Sequence, residues 1–164
     1  MHKNRWLVLA GVVAALLSLA FFVAACGKEE EAGAPTATEG TMVAVTVQEW
    51  SVNPETTSVP AGSVTFEVEN IGPEHEHKFT ILKTDLDAAS LPTLDDGSVD
   101  EADSGVEFID EIDEEDLPVG GSQELPVDLE AGAYVLICNI VKEEDGETES
   151  HYQQGMRTDF DVTE

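Results

Sequence analysis

The sequence predicts an all-β domain, a sandwich or barrel, behind an N-terminal export segment. From residue 42 onward, apolar and polar residues alternate in several short stretches, which is the period of half-buried strands. Glycine and proline separate these stretches, and the domain has no long amphipathic helical pattern. Short strands without long helices are typical of two packed sheets or a closed sheet. A chain of 164 residues is long enough for one such domain with a real core.

The predicted strands follow one another with clear punctuation. They comprise residues 43–48, 64–69, 77–82, 122–129, 133–138 and 157–162. Turns are expected at Pro60-Ala61-Gly62, at Asn70-Ile71-Gly72-Pro73 and at Glu130-Ala131-Gly132. The stretch 133–138 is mostly apolar, as expected of a strand inside a sandwich.

Residues 85–117 do not fit this pattern. They are rich in acids and carry scattered apolar residues, so we interpret them as an acidic insertion between strands, with a helical turn near residues 87–91. We expect five apolar side chains to fix the insertion to the sandwich, namely Leu91, Val106, Phe108, Ile109 and Ile112.

The first 26 residues have the pattern of an export signal. Lys3 and Arg5 precede an apolar run over residues 6–25, which ends at Cys26. Residues 23–26 (VAAC) resemble a bacterial lipobox, although Val23 stands where that motif most often has leucine. The resemblance implies that residues 1–25 are a signal peptide and that Cys26 carries a lipid. The run is also long enough to remain as a membrane-spanning helix.

Either fate of the apolar run places the remaining chain at the extracytoplasmic face of a membrane, in the periplasm or at the cell surface. Residues 26–41 contain the lipidated Cys26 and a stretch rich in Ala, Gly, Thr and Glu, which we interpret as a flexible linker. The folded domain is then residues 42–164.

The charge of the chain excludes some partners. Seven Lys and Arg face 35 Asp and Glu, for a formal net charge of −28. Such a surface repels nucleic acid and anionic lipid headgroups and attracts basic proteins or metal cations. It also keeps a protein soluble, and charge alone does not separate solubility from steering.

Four residues form a candidate metal centre. Cys138 ends the apolar strand, and His151 and Met156 follow it with the spacing H-x4-M, while His77 opens the third predicted strand. Two imidazoles, a thiolate and a weak thioether are the ligands of a blue-copper site. For Cys138 the alternatives are a buried apolar role or a Cys-His nucleophile. His75 is the rival of His77, and the phase of Phe79 and Ile81 favours His77.

These residues sit in stretches that resemble the cupredoxin family, the plastocyanin-like and halocyanin-like blue copper proteins. The matching stretches are GSVTFEVENIG, HKFTILKTD, LEAGAYVLICNI and HYQQGM. The resemblance implies a Greek-key β-sandwich that binds one type 1 copper ion through His77, Cys138, His151 and Met156. This sequence departs from the family pattern in the twelve residues between Cys138 and His151, which include the acidic stretch 142–149. We expect the long loop to affect the rigidity of the site and its docking surface rather than the identity of the ligands.

The resemblance implies an electron carrier rather than an enzyme, since four protein ligands leave no open position for a substrate. We expect a monomer that exchanges electrons through His151 on an exposed loop with a basic redox partner, such as a cytochrome or an oxidase domain. The alternatives are a copper carrier, an interaction module without a redox role, and a site that holds zinc. The small number of methionines argues against a carrier, and the complete ligand set argues against a module without copper.

Overall fold

The architecture comes from a computed structural model that describes residues 40–144 and 146–164. The predicted signal peptide, Cys26 and most of the predicted linker lie outside the described residues. The strands are β1 (Thr41–Gln48), β2 (Ser51–Pro54), β3 (Ser58–Pro60), β4 (Gly62–Asn70), β5 (Phe79–Lys83), β6 (Glu107–Ile112), β7 (Ser122–Leu129), β8 (Gly132–Ile137), β9 (Val141–Glu144), β10 (Glu147–Ser150) and β11 (Arg157–Thr163). Two 3-10 turns (Ala88–Ser90, Glu114–Asp116) and one short helix, α1 (His151–Gln154), complete the fold.

Two sheets form the sandwich. The first has the strand order β2-β1-β4-β7 and the second the order β3-β11-β8-β5-β6. Strands β1 and β4 are parallel, as are β3 and β11, and the other pairs are antiparallel. The predicted all-β sandwich is confirmed, and each of the six predicted strands has a counterpart.

The alternation of the sequence decides which side chains fill the core. On β1 the residues Val43, Val45 and Val47 point inward, and on β4 the inward residues include Phe66. The ring of Phe66 contacts Phe79 from the opposite sheet, with ring centroids 5.5 Å apart. Successive strand residues point to opposite faces, so the period-2 pattern translates directly into this layer.

Strand β8 is apolar, and its last four residues, 134–137, are covered on both faces. Tyr134 and Leu136 lie in the sandwich core. Val135 and Ile137 lie in a second cluster with Leu82, under the acidic insertion. A strand buried on both faces has no polar positions to alternate with.

The acidic insertion is more ordered than its sequence suggests. Its 3-10 turn at Ala88–Ser90 lies where a helical turn was expected, but β6 was not predicted and forms the edge of the second sheet. Leu91 and Ile112 are buried, and Val106 and Ile109 pack against the clusters as half-buried residues. The expectation for Phe108 was wrong, because its side chain is 43% exposed on the edge strand. Leu117 and Val99, which were not predicted, are buried instead.

The long stretch between Cys138 and His151 is a β-hairpin. Strands β9 and β10 pair in antiparallel register from Val141–Ser150 to Glu144–Glu147. Lys142 on β9 approaches Glu76 to 3.8 Å, so the hairpin lies beside the segment that precedes β5. Within the described part of the chain, no helix has the length and apolarity needed to cross a membrane.

Candidate metal centre

Three of the four predicted ligands converge at one end of the sandwich. The Nδ1 atoms of His77 and His151 are 3.3 Å apart. The sulfur of Cys138 lies 3.9 Å from Nδ1 of His77 and 3.4 Å from Nδ1 of His151. All three side chains are fully buried. Among the described His, Cys, Asp and Glu residues, these three form the group whose donor atoms are close enough to share a metal ion.

His77 lies two residues before β5, in an irregular segment, rather than inside the strand as predicted. The buried Asn70 at the end of β4 fixes this segment. Its amide nitrogen donates to the carbonyl oxygens of His75 at 2.9 Å and Leu117 at 3.1 Å, and its amide oxygen accepts from Gly72 N–H at 2.9 Å. Asn70 thereby holds both sides of the loop that carries His77.

Cys138 directly follows β8. Its backbone is hydrogen-bonded to the stretch that carries His151 and Met156, which we call the ligand loop (residues 139–156). Its N–H donates to the carbonyl of Met156 at 3.0 Å, and Met156 N–H donates to the carbonyl of His151 at 3.1 Å. Its sulfur accepts from the backbone N–H of Lys78 at 3.3 Å. A donor to the sulfur stabilises a thiolate and tunes a bound metal.

Met156 is fully buried in the same cluster as Cys138. The preceding Gly155 has a φ of 124°, which side chains other than glycine rarely adopt, and a Cβ there would lie 3.2 Å from the carbonyl oxygen of Trp50. Glycine is therefore required at the turn between α1 and β11. The role of Met156 as an axial ligand stays a prediction.

The acidic insertion braces the ligand loop. The side chain of Asn139 accepts from Val99 N–H at 2.7 Å and donates to the Val99 carbonyl at 3.1 Å. Ser150 caps α1 by accepting from Gln153 N–H and donates to the carbonyl of Gly97 at 2.7 Å. The loop is long, but it is held on both sides of the hairpin.

Burial sets the proton state of the metal-free site. It lowers the pKa of His77 and of His151 to about 4 each, so both imidazoles are neutral at pH 7. It raises the pKa of Cys138 to about 11, so the thiol keeps its proton until a metal displaces it. The imidazoles therefore offer lone pairs without further proton loss.

His151 is fully buried, so the expectation that it sits on an exposed loop was wrong. The half-buried Trp50 packs edge-on against it, with ring centroids 5.1 Å apart. His75 stacks on Trp50 at 5.6 Å and lies 5.9 Å from the His151 ring. His75 is not in the group of converging donors, so the structure places it in the cover of the site, next to Trp50.

The donor set fits one type 1 copper ion. Donors that bind one ion at about 2.0 Å from nitrogen and about 2.3 Å from sulfur lie no more than about 4 Å apart, which the observed separations satisfy. Two imidazole nitrogens and one sulfur are also the donors that such a copper site uses in its trigonal plane. Nδ1 is the metal-facing nitrogen of both histidines, because the Nδ1 atoms converge with the sulfur, whereas Nε2 of each ring is buried without a hydrogen-bond partner.

Two solved structures share this architecture. Dithionite-reduced auracyanin from the photosynthetic bacterium Roseiflexus castenholzii has a TM-score of 0.54 and 21% identity, over 76% of this chain and 98% of its own. Reduced rusticyanin, solved by NMR, has a TM-score of 0.50 and 18% identity, over 74% and 76%. Both are cupredoxins. This chain has the cupredoxin fold. No protein-family model matches the sequence, and no curated protein is significantly similar to it.

Sequence reasoning missed two residues of this domain that shape the site. Asn70 ends a strand before a Gly-Pro turn, and its position alone suggested only a chain break. Glu49 follows β1 and looked like one acid among many, yet its carboxylate lies 3.8 Å from Nε2 of His77. Neither role has a local sequence signal, because each depends on which loop packs beside the residue.

Proposed function

We propose that this protein is a type 1 copper protein that carries single electrons between redox partners at the outer face of a cell membrane. The observation that carries this proposal is the fully buried group of two imidazole nitrogens and one thiol sulfur, 3.3 to 3.9 Å apart. Rusticyanin, which shares the fold, is described as a copper protein.

The side chains of the site have distinct roles in this proposal. His77 and His151 would hold the ion through Nδ1, Cys138 would hold it as a thiolate, and Met156 would add a weak thioether donor. Copper held there would supply one-electron chemistry between Cu(I) and Cu(II), which these side chains lack. The packed surroundings hold the donors in nearly the same positions in both oxidation states, so little rearrangement accompanies each transfer.

The rings of Trp50 and His75 separate the site from solvent, because His151 itself has no exposed surface, so electrons enter through this cover and a thinner cover should speed their entry. Replacing Trp50 with alanine should open the edge of His151 and speed reduction by small, uncharged redox reagents. A matched Tyr134→Phe variant, far from the cover, should react at the wild-type rate. An unchanged rate in Trp50→Ala would contradict this path.

The charge of the described surface supports a basic redox partner. The lysines are already paired with carboxylates: Lys78 with Glu111 and Asp113, Lys83 with Glu130, and Lys142 with Glu76. The guanidinium of Arg157 stacks on Tyr152. Most acids therefore remain uncompensated and would steer a cationic partner.

The acids beside the site cover are the proposed docking region. Glu74 and Glu76 are exposed and flank His75 in the sequence, and their two charges outnumber the single Lys142 beside Glu76, so this region is net negative. The double variant Glu74→Gln/Glu76→Gln should lower the association rate with a basic cytochrome and weaken its salt dependence. Asp128→Asn is the control, since Asp128 is exposed near the opposite end of the β4–β7 pair. Equal effects from both variants would indicate general charge rather than a docking face.

Membrane attachment through a lipid on Cys26 is the remaining part of the proposal. It rests on the export pattern and the lipobox-like VAAC sequence. The chain is expressed with its own leader, and membranes are separated from soluble protein. Cys26→Ala should shift the protein to the soluble fraction, whereas Cys138→Ser should stay with the membranes. A membrane-bound Cys26→Ala protein would contradict lipid anchoring.

A redox titration tests the proposed activity itself. We expect the copper-loaded protein to take up one electron per chain and to release it again on reoxidation, without losing the metal. A copper delivery protein would instead give up Cu(I) rapidly to a chelator, which the full burial of the three donors disfavours. Rapid loss of Cu(I), or the absence of a reversible one-electron step, would contradict the proposal.

A further inference from the structure

Glu49 is a largely buried carboxylate beside the metal centre. Its side chain is 12% exposed. One carboxylate oxygen, Oε1, accepts from the backbone N–H groups of His75 at 2.7 Å and Glu74 at 3.2 Å. The other, Oε2, is buried and has no hydrogen-bond partner. Buried polar atoms without partners are rare in folded proteins and point to a function or a missing partner.

The fold makes room for this carboxylate. A Cβ on Gly72 would lie 2.7 Å from Oε2 and 2.9 Å from Oε1 of Glu49, which is closer than real contacts allow. The backbone of Gly72 is held in place by the side chain of Asn70. Any larger residue at position 72 would push the carboxylate away from its site.

The charge of Glu49 is maintained by its backbone donors. Burial alone raises its pKa, but hydrogen bonds from backbone N–H groups, including those of His75 and Glu74, outweigh this effect and lower the pKa overall. Two backbone N–H donors on one oxygen are the arrangement that stabilises a charged carboxylate, and this oxygen lies 3.8 Å from Nε2 of His77.

His77 faces the metal centre with Nδ1, which leaves Nε2 on the far side of the ring. When Nδ1 binds a metal, Nε2 carries the ring proton and becomes a donor. In the structure Nε2 is buried without a partner, and the nearest carboxylate oxygen is Oε1 of Glu49 at 3.8 Å. A shift of about 0.8 Å would bring Nε2 and Oε1 to hydrogen-bond distance, and the other oxygen of the same carboxylate, Oε2, has no competing partner.

We propose that Glu49 is a positioning residue that accepts the Nε2–H hydrogen bond of His77 in the metal-loaded protein. The same carboxylate lowers the reduction potential of the copper-loaded site. The inference rests on the proposed copper site. The hydrogen bond fixes the plane of the imidazole, as carboxylates do for many metal-bound histidines. The negative charge stabilises the more positive oxidation state, Cu(II), over Cu(I).

The test compares Glu49→Gln with two charge controls. Glutamine keeps the shape of the side chain and can still accept from the backbone of His75, but it carries no charge. We expect the ratio of Cu(II) to Cu(I) affinity to fall at least tenfold, a rise in potential of about 59 mV or more. Glu74→Gln and Glu76→Gln remove exposed charges nearby and should shift the potential far less. A potential that does not change in Glu49→Gln, or that changes equally in the controls, overturns the proposal.

A second readout does not need copper. In the zinc-loaded protein, the Nε2–H proton of His77 should give an NMR signal that exchanges slowly with water. Glu49→Gln should shift this signal and speed its exchange. Gly72→Ala, which crowds the carboxylate without removing its charge, should do the same and serves if Glu49→Gln does not fold. A signal unaffected by both variants overturns the role of Glu49. A protein that binds zinc normally but shows no reversible one-electron step with copper would instead contradict the proposed electron-carrier function.

Discussion

Tyr152 connects the ligand loop to the acidic insertion, and its hydroxyl is the atom to remove. The hydroxyl donates to the carbonyl of Ala88 at 2.7 Å and accepts from Leu91 N–H at 3.2 Å, in a buried environment. Tyr152→Phe deletes both bonds and leaves a buried N–H and a buried carbonyl unpaired. Each unpaired group costs about 1–3 kcal/mol, so the variant with two such groups should lose about 2–6 kcal/mol of folding free energy. The stacking of Arg157 on the ring is retained.

The loss is measured by urea unfolding of the metal-free protein, with Tyr134→Phe as the control. The hydroxyl of Tyr134 makes one hydrogen bond, to the carbonyl of the exposed Glu130 at 2.8 Å, which water can replace. We expect that control to lose about 1 kcal/mol. Because Tyr152 follows His151 directly, Tyr152→Phe should also release bound metal faster than the control. Equal stability losses in the two variants would refute the idea that the insertion braces the ligand loop.

Three further predictions concern the site itself. The pKa values of His77 and His151 are about 4 in the fold and 6.5 when unfolded, so the unfolded chain takes up protons first and stability falls as the pH drops from about 6.5 to about 4. Urea unfolding of the metal-free protein should show a loss of a few kcal/mol over this range, and a flat profile would contradict it. Zinc binding at pH 7 to 8 should release about one proton, which comes from the thiol of Cys138. Calorimetry in buffers of different ionisation enthalpy measures this number. Release of no proton would contradict the raised pKa of that thiol. Cu(II) should quench the fluorescence of Trp50, because the Trp50 ring lies 5.1 Å from the ring of His151. Zinc should not quench it. Equal emission with both metals would contradict this geometry.

The strands were predictable where one face is buried and the other solvated. In β1 and β4 every second residue is apolar, and the structure uses that pattern without change. The edge strand β6 was missed because its sequence, EFIDEI, places acids and apolar residues without a clear period. Hairpin β9–β10 was missed for a similar reason, since its strands are mostly polar and its pairing depends on backbone hydrogen bonds rather than on burial.

The metal centre was more predictable than its surroundings. Cys138, His151 and Met156 occur on one loop with a fixed spacing, and His77 is carried by the segment before a neighbouring strand. The cover formed by Trp50 and His75 follows from long-range packing, which the spacing of a loop does not encode. The same holds for Glu49, which meets His77 only because the end of β1 lies beside the loop before β5.

An optical spectrum of the oxidised, copper-loaded protein tests the central claim most directly. We predict an intense visible band from charge transfer between the Cys138 thiolate and copper, with one copper per chain. Cys138→Ser, which keeps the size of the side chain, should abolish this band, whereas Tyr134→Phe should leave it unchanged. A pale spectrum without the band, or a band that persists in Cys138→Ser, would contradict the assignment of the copper centre.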